Sequence, residues 1–247
     1  MNIISRTTLL IVLTGTLSTA NALTFNSIKD HNIHDNNTSP IGSGEFLAPF
    51  TSTNYSLYSY IGFNINDFKS QGVLAADVSL DLYGYGSINP LPLTIYALNN
   101  NVTDNWAEST ITKNNAPGLL PLSNGKLTGV DSNATTLLFD GDISYNRATD
   151  INDNINFSGN NFVNFINNDF INDDTDGLIT LILLQTPTTS SNHAFSSKDS
   201  GANPNPPGTT NADFAPRLNI TAVPLPAAVW LFGSGLLGLV SFRRKAS

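Results

Sequence analysis

Between residues 56 and 184 the apolar residues come in short runs with a period near two, and this feature limits the body of the chain to β-structure. Ser56-Leu-Tyr-Ser-Tyr-Ile-Gly-Phe-Asn-Ile65 alternates, and Ala76-Asp-Val-Ser-Leu-Asp-Leu-Tyr83 does so more cleanly. Successive side chains of a strand point to opposite faces, so these runs read as half-buried strands. Leu93-Thr-Ile-Tyr-Ala-Leu98 is of the same type, and Gly177-Leu-Ile-Thr-Leu-Ile-Leu-Leu184 is apolar enough to be covered on both faces. Gly159 to Asp169 is the one candidate for a short helix or turn in the body. Many short strands separated by Gly, Asn, Asp and Pro predict an all-β body, a single antiparallel β-sandwich or jelly roll.

Both ends of the chain have a different character. Arg6 precedes an apolar stretch from Leu9 to Leu17, and Ala20-Asn21-Ala22 supplies small residues for signal peptidase, the order of a secretory signal peptide over residues 1–22. At the other end, residues 223–247 comprise Val223-Pro224-Leu225-Pro226, an uncharged run from Ala227 to Phe242, and the basic stub Arg243-Arg244-Lys245. Proline fixes φ and pushes its predecessor out of the helical region, so the motif reads as extended peptide. With the motif, the apolar run reaches roughly 20 residues, the length of a transmembrane helix, and the stub sets its cytoplasmic end. The body is then residues 23–222, read as one domain.

The tail resembles the PEP-CTERM sorting signal of Gram-negative bacteria, in the variant Val-Pro-Leu-Pro-Ala followed by Trp-Leu-Phe-Gly-Ser-Gly. The resemblance implies recognition at Val223 to Pro226 by an exosortase, a membrane-embedded cysteine protease, after transient anchoring in the inner membrane. It implies a final place at the cell surface or in the extracellular matrix.

Charge and cysteine usage narrow the partners. Four of the eleven basic residues lie in the two ends, leaving seven against nineteen acids, so the body carries about −12. Such a surface repels nucleic acid. The absence of Cys excludes a disulfide framework, a thiolate nucleophile and a cysteine zinc site, leaving stability to a packed core.

The strand order through Asn105-Trp-Ala-Glu-Ser-Thr-Ile-Thr112 and on to Pro117, with Phe195-Ser-Ser-Lys-Asp199 and Ala215-Pro-Arg-Leu-Asn-Ile220, resembles the DNRLRE type of carbohydrate-binding sandwich domain. That resemblance implies association with extracellular polysaccharide. Where the family carries a second tryptophan after the block, this chain has Lys113.

Trp106 and Glu108 admit two readings: a sugar-contacting pair, or a corner in which Trp106 packs in the core and Glu108 caps backbone amides. The large apolar area of the body's one tryptophan favours the second. Tyr83, Tyr85 and Tyr96 are the other candidate stacking surfaces, although Gly84 and Gly86 suggest a turn beside the first two.

Asn172-Asp-Asp-Thr-Asp-Gly177 has the acid spacing of a calcium loop, with Asp173, Asp174 and Asp176 as ligands. An EF-hand would need Glu at position 183, where Leu183 stands, so an Asp-Gly turn entering a strand is the favoured reading and calcium the alternative. Asp140-Gly-Asp142 reads as another turn, and His31-Asn-Ile-His34 as a solvated loop rather than a metal pair. Ser196-Ser197-Lys198-Asp199 superficially resembles serine-lysine chemistry, but neighbours on a strand face opposite ways, so no catalytic geometry follows. The residues therefore predict an exported, non-enzymatic β-domain with no required cofactor. The alternatives are a structural surface protein without a sugar site and a polysaccharide-active enzyme.

Overall fold

Strand β1 (Ala22–His34) organises the body by bending at a bulge between Ser27 and Lys29. Residues Ala22 to Asn26 pair with β11 (Arg217–Ala222), whereas Ser27 to His34 pair with β4 (Ser56–Asn64). Beyond β11 the hydrogen-bonded path runs to β5 (Ala75–Tyr83) and β8 (Asn154–Ser158). Beyond β4 it runs to β9 (Leu178–Leu184), β6 (Ser87–Leu98) and β7 (Thr135–Asn146). Short β3 (Phe50–Thr51) adds to β4, and β2 (Phe46–Leu47) pairs separately with β10 (Phe195–Ser196). All pairings are antiparallel, and the nine-stranded sheet, eight strands in the path and β3 beside it, is nearly closed. The expected antiparallel β-body is present, with its two halves joined through β1. These statements rest on a computed structural model that describes residues 21–36, 46–52, 55–84, 87–146, 154–186, 193–199 and 214–223.

Alternation decides which side chains meet. Val78, Leu80, Leu82, Leu218 and Ile220 from one half, and Ile61, Phe63, Ile95, Leu181 and Leu183 from the other, form one buried core. Helix α1 (Asn66–Lys69) contributes Phe68. The segment read from sequence as a short helix or turn is helical and runs on to Asp173: α2 (Asn160–Asn164), a π-helical turn over Phe165–Phe170, and α3 (Ile171–Asp173). It places Phe162, Phe165, Ile166 and Phe170 in the same core.

The outer face of the β4/β9 half has a second apolar cluster of Ile33, Tyr58, Tyr60, Leu98, Ile111, Leu127 and Ile182. Residues 99–134, which contain no strand beyond isolated bridges, cover it. This outer layer explains why β9 is apolar on both faces. Tyr60 is fully buried beneath it, its hydroxyl donating to the Pro117 carbonyl at 2.8 Å and pushed well above its usual range by burial.

Two local expectations are corrected. His31 to His34 belongs to the second half of β1, with His31 only 2% exposed and Glu108 of the outer layer near it. Asp140-Gly-Asp142 lies in the middle of β7, opposite Thr94, Leu93 and Pro92, and Thr94 Oγ1 donates to Asp140 Oδ1 at 2.8 Å. Among the described residues no helix is long and apolar enough to cross a membrane. Residues 1–20 of the expected signal peptide, Tyr85, and the tail from Pro224 through Leu225, Pro226, Arg243, Arg244 and Lys245 lie outside the described residues, whereas Ala22, the last residue of that expected peptide, is the first of β1.

Candidate functional site

The outer layer begins with the Trp-x-Glu block, and each of its two large residues reaches a different strand. Trp106 is half-buried; its Nε1 donates to Thr180 Oγ1 on β9 at 2.9 Å, and its ring meets Tyr60 edge-on at 5.9 Å. Lys29 crosses from β1 to the same place. Its ammonium lies 4.4 Å from the Trp106 ring centroid and donates to the carbonyls of Asp104 at 2.6 Å and Trp106 at 3.0 Å. Gly62 makes room for this crossing, since a Cβ there would sit 2.6 Å from the Lys29 stem. Burial pulls the Lys29 ammonium below its ordinary pKa, against the pull of Asp104, Asp176 and Glu108.

Glu108 closes the free edge of β1. Its Oε1 accepts the Asp30 backbone N–H at 2.6 Å and the Lys198 ammonium at 3.0 Å. Lys198 also donates its backbone N–H to Asp30 Oδ2 at 2.6 Å and its ammonium to Asp199 at 2.5 Å. Asp30, Glu108 and Asp199 bring carboxylate oxygens within 4.8 Å of one another, a cluster of metal-ligating groups that Lys198 reaches with its own positive charge. Burial lowers the Lys198 ammonium, but hydrogen bonds to Asp199 and Glu108 outweigh it and leave the group above its ordinary value. Beside this network His31 is held below its usual pKa by burial, partly offset by Glu108, and its ring nitrogens have no hydrogen-bond partner among the described residues.

Asp30 is 1% exposed, and burial pushes its carboxyl up to about 7. A carboxyl raised in the folded state contributes fully below its unfolded pKa, and that contribution is lost as pH rises through about 7. Asp30→Asn keeps an acceptor for Lys198 without the charge. Relative to the parent, the variant should gain about 1–3 kcal/mol between pH 5 and pH 8. Paired thermal melts at the two pH values measure this, and taking the difference cancels the histidines common to both proteins.

The candidate stacking aromatics do not share one surface. Tyr96 packs with Trp106 against the second cluster. Tyr83 lies in the other half, edge-on to Phe214 at 5.5 Å, its hydroxyl accepting from Arg217 at 3.2 Å.

The predicted calcium loop is built as a turn entering β9. Asp174 Oδ2 accepts from the Gly177 N–H at 2.6 Å and from Lys69 at 2.8 Å, and Asp176 Oδ1 accepts from the Leu178 N–H at 2.9 Å. Gly177 has φ +75°, and any Cβ there would collide with Asn66. Across from this turn stands Asp104, which the sequence did not single out. Its carboxyl is pushed up to about 7, first by burial and then by the charge of Asp176. Asn99 to Asp104 and Asp174 to Asp176 line a polar cleft of about 150 Å³, and Asp173 faces a neighbouring depression with Asn99 to Asn101. The signal for Asp104 was its place two residues before Trp106 in a block otherwise poor in charge.

Where the described body ends, comparison with known families gives a match: residues 222–245 fit the PEP-CTERM protein-sorting motif. The chain carries a PEP-CTERM sorting signal. No curated protein matches the chain. The motif indicates an exported protein processed by an exosortase at a C-terminal sorting signal. The matched segment begins at Ala222, still paired in β11 opposite Ala75, and Val223 is exposed.

Proposed function

We propose that this PEP-CTERM protein is a non-catalytic component of the extracellular matrix or cell surface of a Gram-negative bacterium, and that its β-body associates weakly with extracellular polysaccharide. The observation that carries the polysaccharide step is the cleft between Asn99–Asp104 and Asp174–Asp176, whose amides and carboxylates suit sugar hydroxyls. Convergence of the Trp106-x-Glu108 block with Lys198 and Asp199 supports the likeness to a DNRLRE-type domain. A non-catalytic role is supported by Lys198, whose ammonium is held by Glu108 and Asp199, and by the burial of Ser197. In this reading calcium bridges acidic polymer to Asp173, Asp174 and Asp176.

The expected affinity is about 10⁻⁴ M, or roughly 5–6 kcal/mol. The body's charge of about −12 should disfavour uronate-rich polymers at low salt and leave neutral glycans preferred. Titrating the 23–222 body against neutral and acidic polysaccharides, with calcium and with chelator, tests both statements. A second reading, a structural surface protein without a sugar site, is favoured by the engagement of Trp106 and Tyr96 in the outer-layer packing. Absence of binding in every condition would establish that reading instead.

A further inference from the structure

The end of β11 bears directly on how the sorting motif is reached. β11 lies between β1 and β5, with Leu218 and Ile220 buried in the core. On the β1 side the last rungs are Leu23 with Ile220 and Ala22 with Thr221. On the β5 side they are Asp77 with Thr221 and Ala75 with Ala222, separated by a register shift. Ala75 has its N–H and C=O bonded to the side chain of Asn167, at 2.8 and 3.0 Å.

The motif match starts on the last residue of this strand, so no spacer separates sheet from motif. Two residues of chain beyond Ala222 can span at most about 7 Å. A protease that binds its substrate extended must grip residues on both sides of the bond it cuts. With β11 paired, Thr221 is already committed to two neighbouring strands and Ala222 to one.

We propose that the C-terminal end of β11 gates exosortase processing, with Thr221 and Ala222 as positioning residues that must leave the sheet before the motif is engaged. Peeling those two residues doubles the slack to about 14 Å. The register shift makes this the weak point of the ladder, and Ile220, with 0% exposure, stops the peel before the core opens. Signal-peptide removal after Ala22 deletes the β1 partner of Thr221, so the first cut loosens the strand end needed for the second. This inference rests on exosortase processing of the chain, and its test separates the two.

In cells carrying an exosortase, pulse-chase follows conversion of the full chain to the shortened form. The chain has no native cysteine, so Asp77→Cys with Thr221→Cys gives a single defined bridge across the last β5 rung. Oxidised, it should slow conversion by about tenfold, equivalent to about 1.4 kcal/mol of added barrier, and reductant should restore the rate. A Gly-Ser-Gly-Ser spacer inserted after Ala222 should convert faster than the parent and should rescue the bridged chain without reduction. Equal rates for bridged, spaced and parent chains would overturn the gate while leaving processing intact. A parent chain that is never shortened would overturn both.

Discussion

Replacing Trp106 with alanine is expected to destabilise the body by about 3–5 kcal/mol, the range for removing a packed aromatic. The loss has several sources. The Nε1 bond to Thr180 goes, leaving a buried hydroxyl whose remaining partner is Asp104 at 3.5 Å. The edge contact with Tyr60 and the Lys29 ammonium over the ring go with it. Lys29, already below its ordinary pKa through burial, would keep its charge in the same confined place with less to stabilise it. Trp106→Phe should recover most of the packing and lose about 1 kcal/mol for the hydrogen bond. Thermal melts of the 23–222 body measure both, and Trp106 is itself the only tryptophan fluorophore between the two ends. An unchanged melt accompanied by loss of sugar binding would make Trp106 a ligand platform instead.

The parts of this architecture that were legible in the sequence are those where one apolar face meets another. β4, β5 and β9 alternate or are mostly apolar because the inner core and, for β4 and β9, the outer layer bury those faces. β1 hides itself because its second half buries polar side chains, several of them paired individually. Asn32 Nδ2 donates to the Phe46 carbonyl while its Oδ1 accepts from Ala48 and Ser59, and Asp30 accepts from Lys198. β7 is missed for a related reason: Asp140-Gly-Asp142 looks like a turn, yet an edge strand tolerates it when Thr94 meets Asp140. At the site, the capping role of Glu108 could be read from residue type. Its targets could not, since Asp30 and Lys198 lie 78 residues upstream and 90 residues downstream and meet it only when the layers close.

Replacing Pro224 and Pro226 together with alanine is expected to block processing and leave the full chain in the inner membrane. Each proline costs a helix interior about 3 kcal/mol relative to alanine, so removing both lets the apolar run that follows propagate helix back through the motif. A helical motif hides its backbone groups from an enzyme that reads extended peptide, while the run from Ala227 to Phe242 and the Arg243-Arg244-Lys245 stub still satisfy the requirements for anchoring. The body should be unaffected, because β11 ends at Ala222 and its core residues precede the change. Cell fractionation with intact-mass measurement distinguishes the outcomes: the parent appears as an exported form lacking the segment after the motif, and the double variant as a membrane form ending at Ser247. Normal release of the double variant would show that the prolines are not what the exosortase reads. A comparison with the Gly-Ser-Gly-Ser spacer chain adds the physical reason, since a spacer supplies slack without restoring the extended conformation. It should therefore fail to rescue the proline variant while rescuing the chain whose β11 end is bridged.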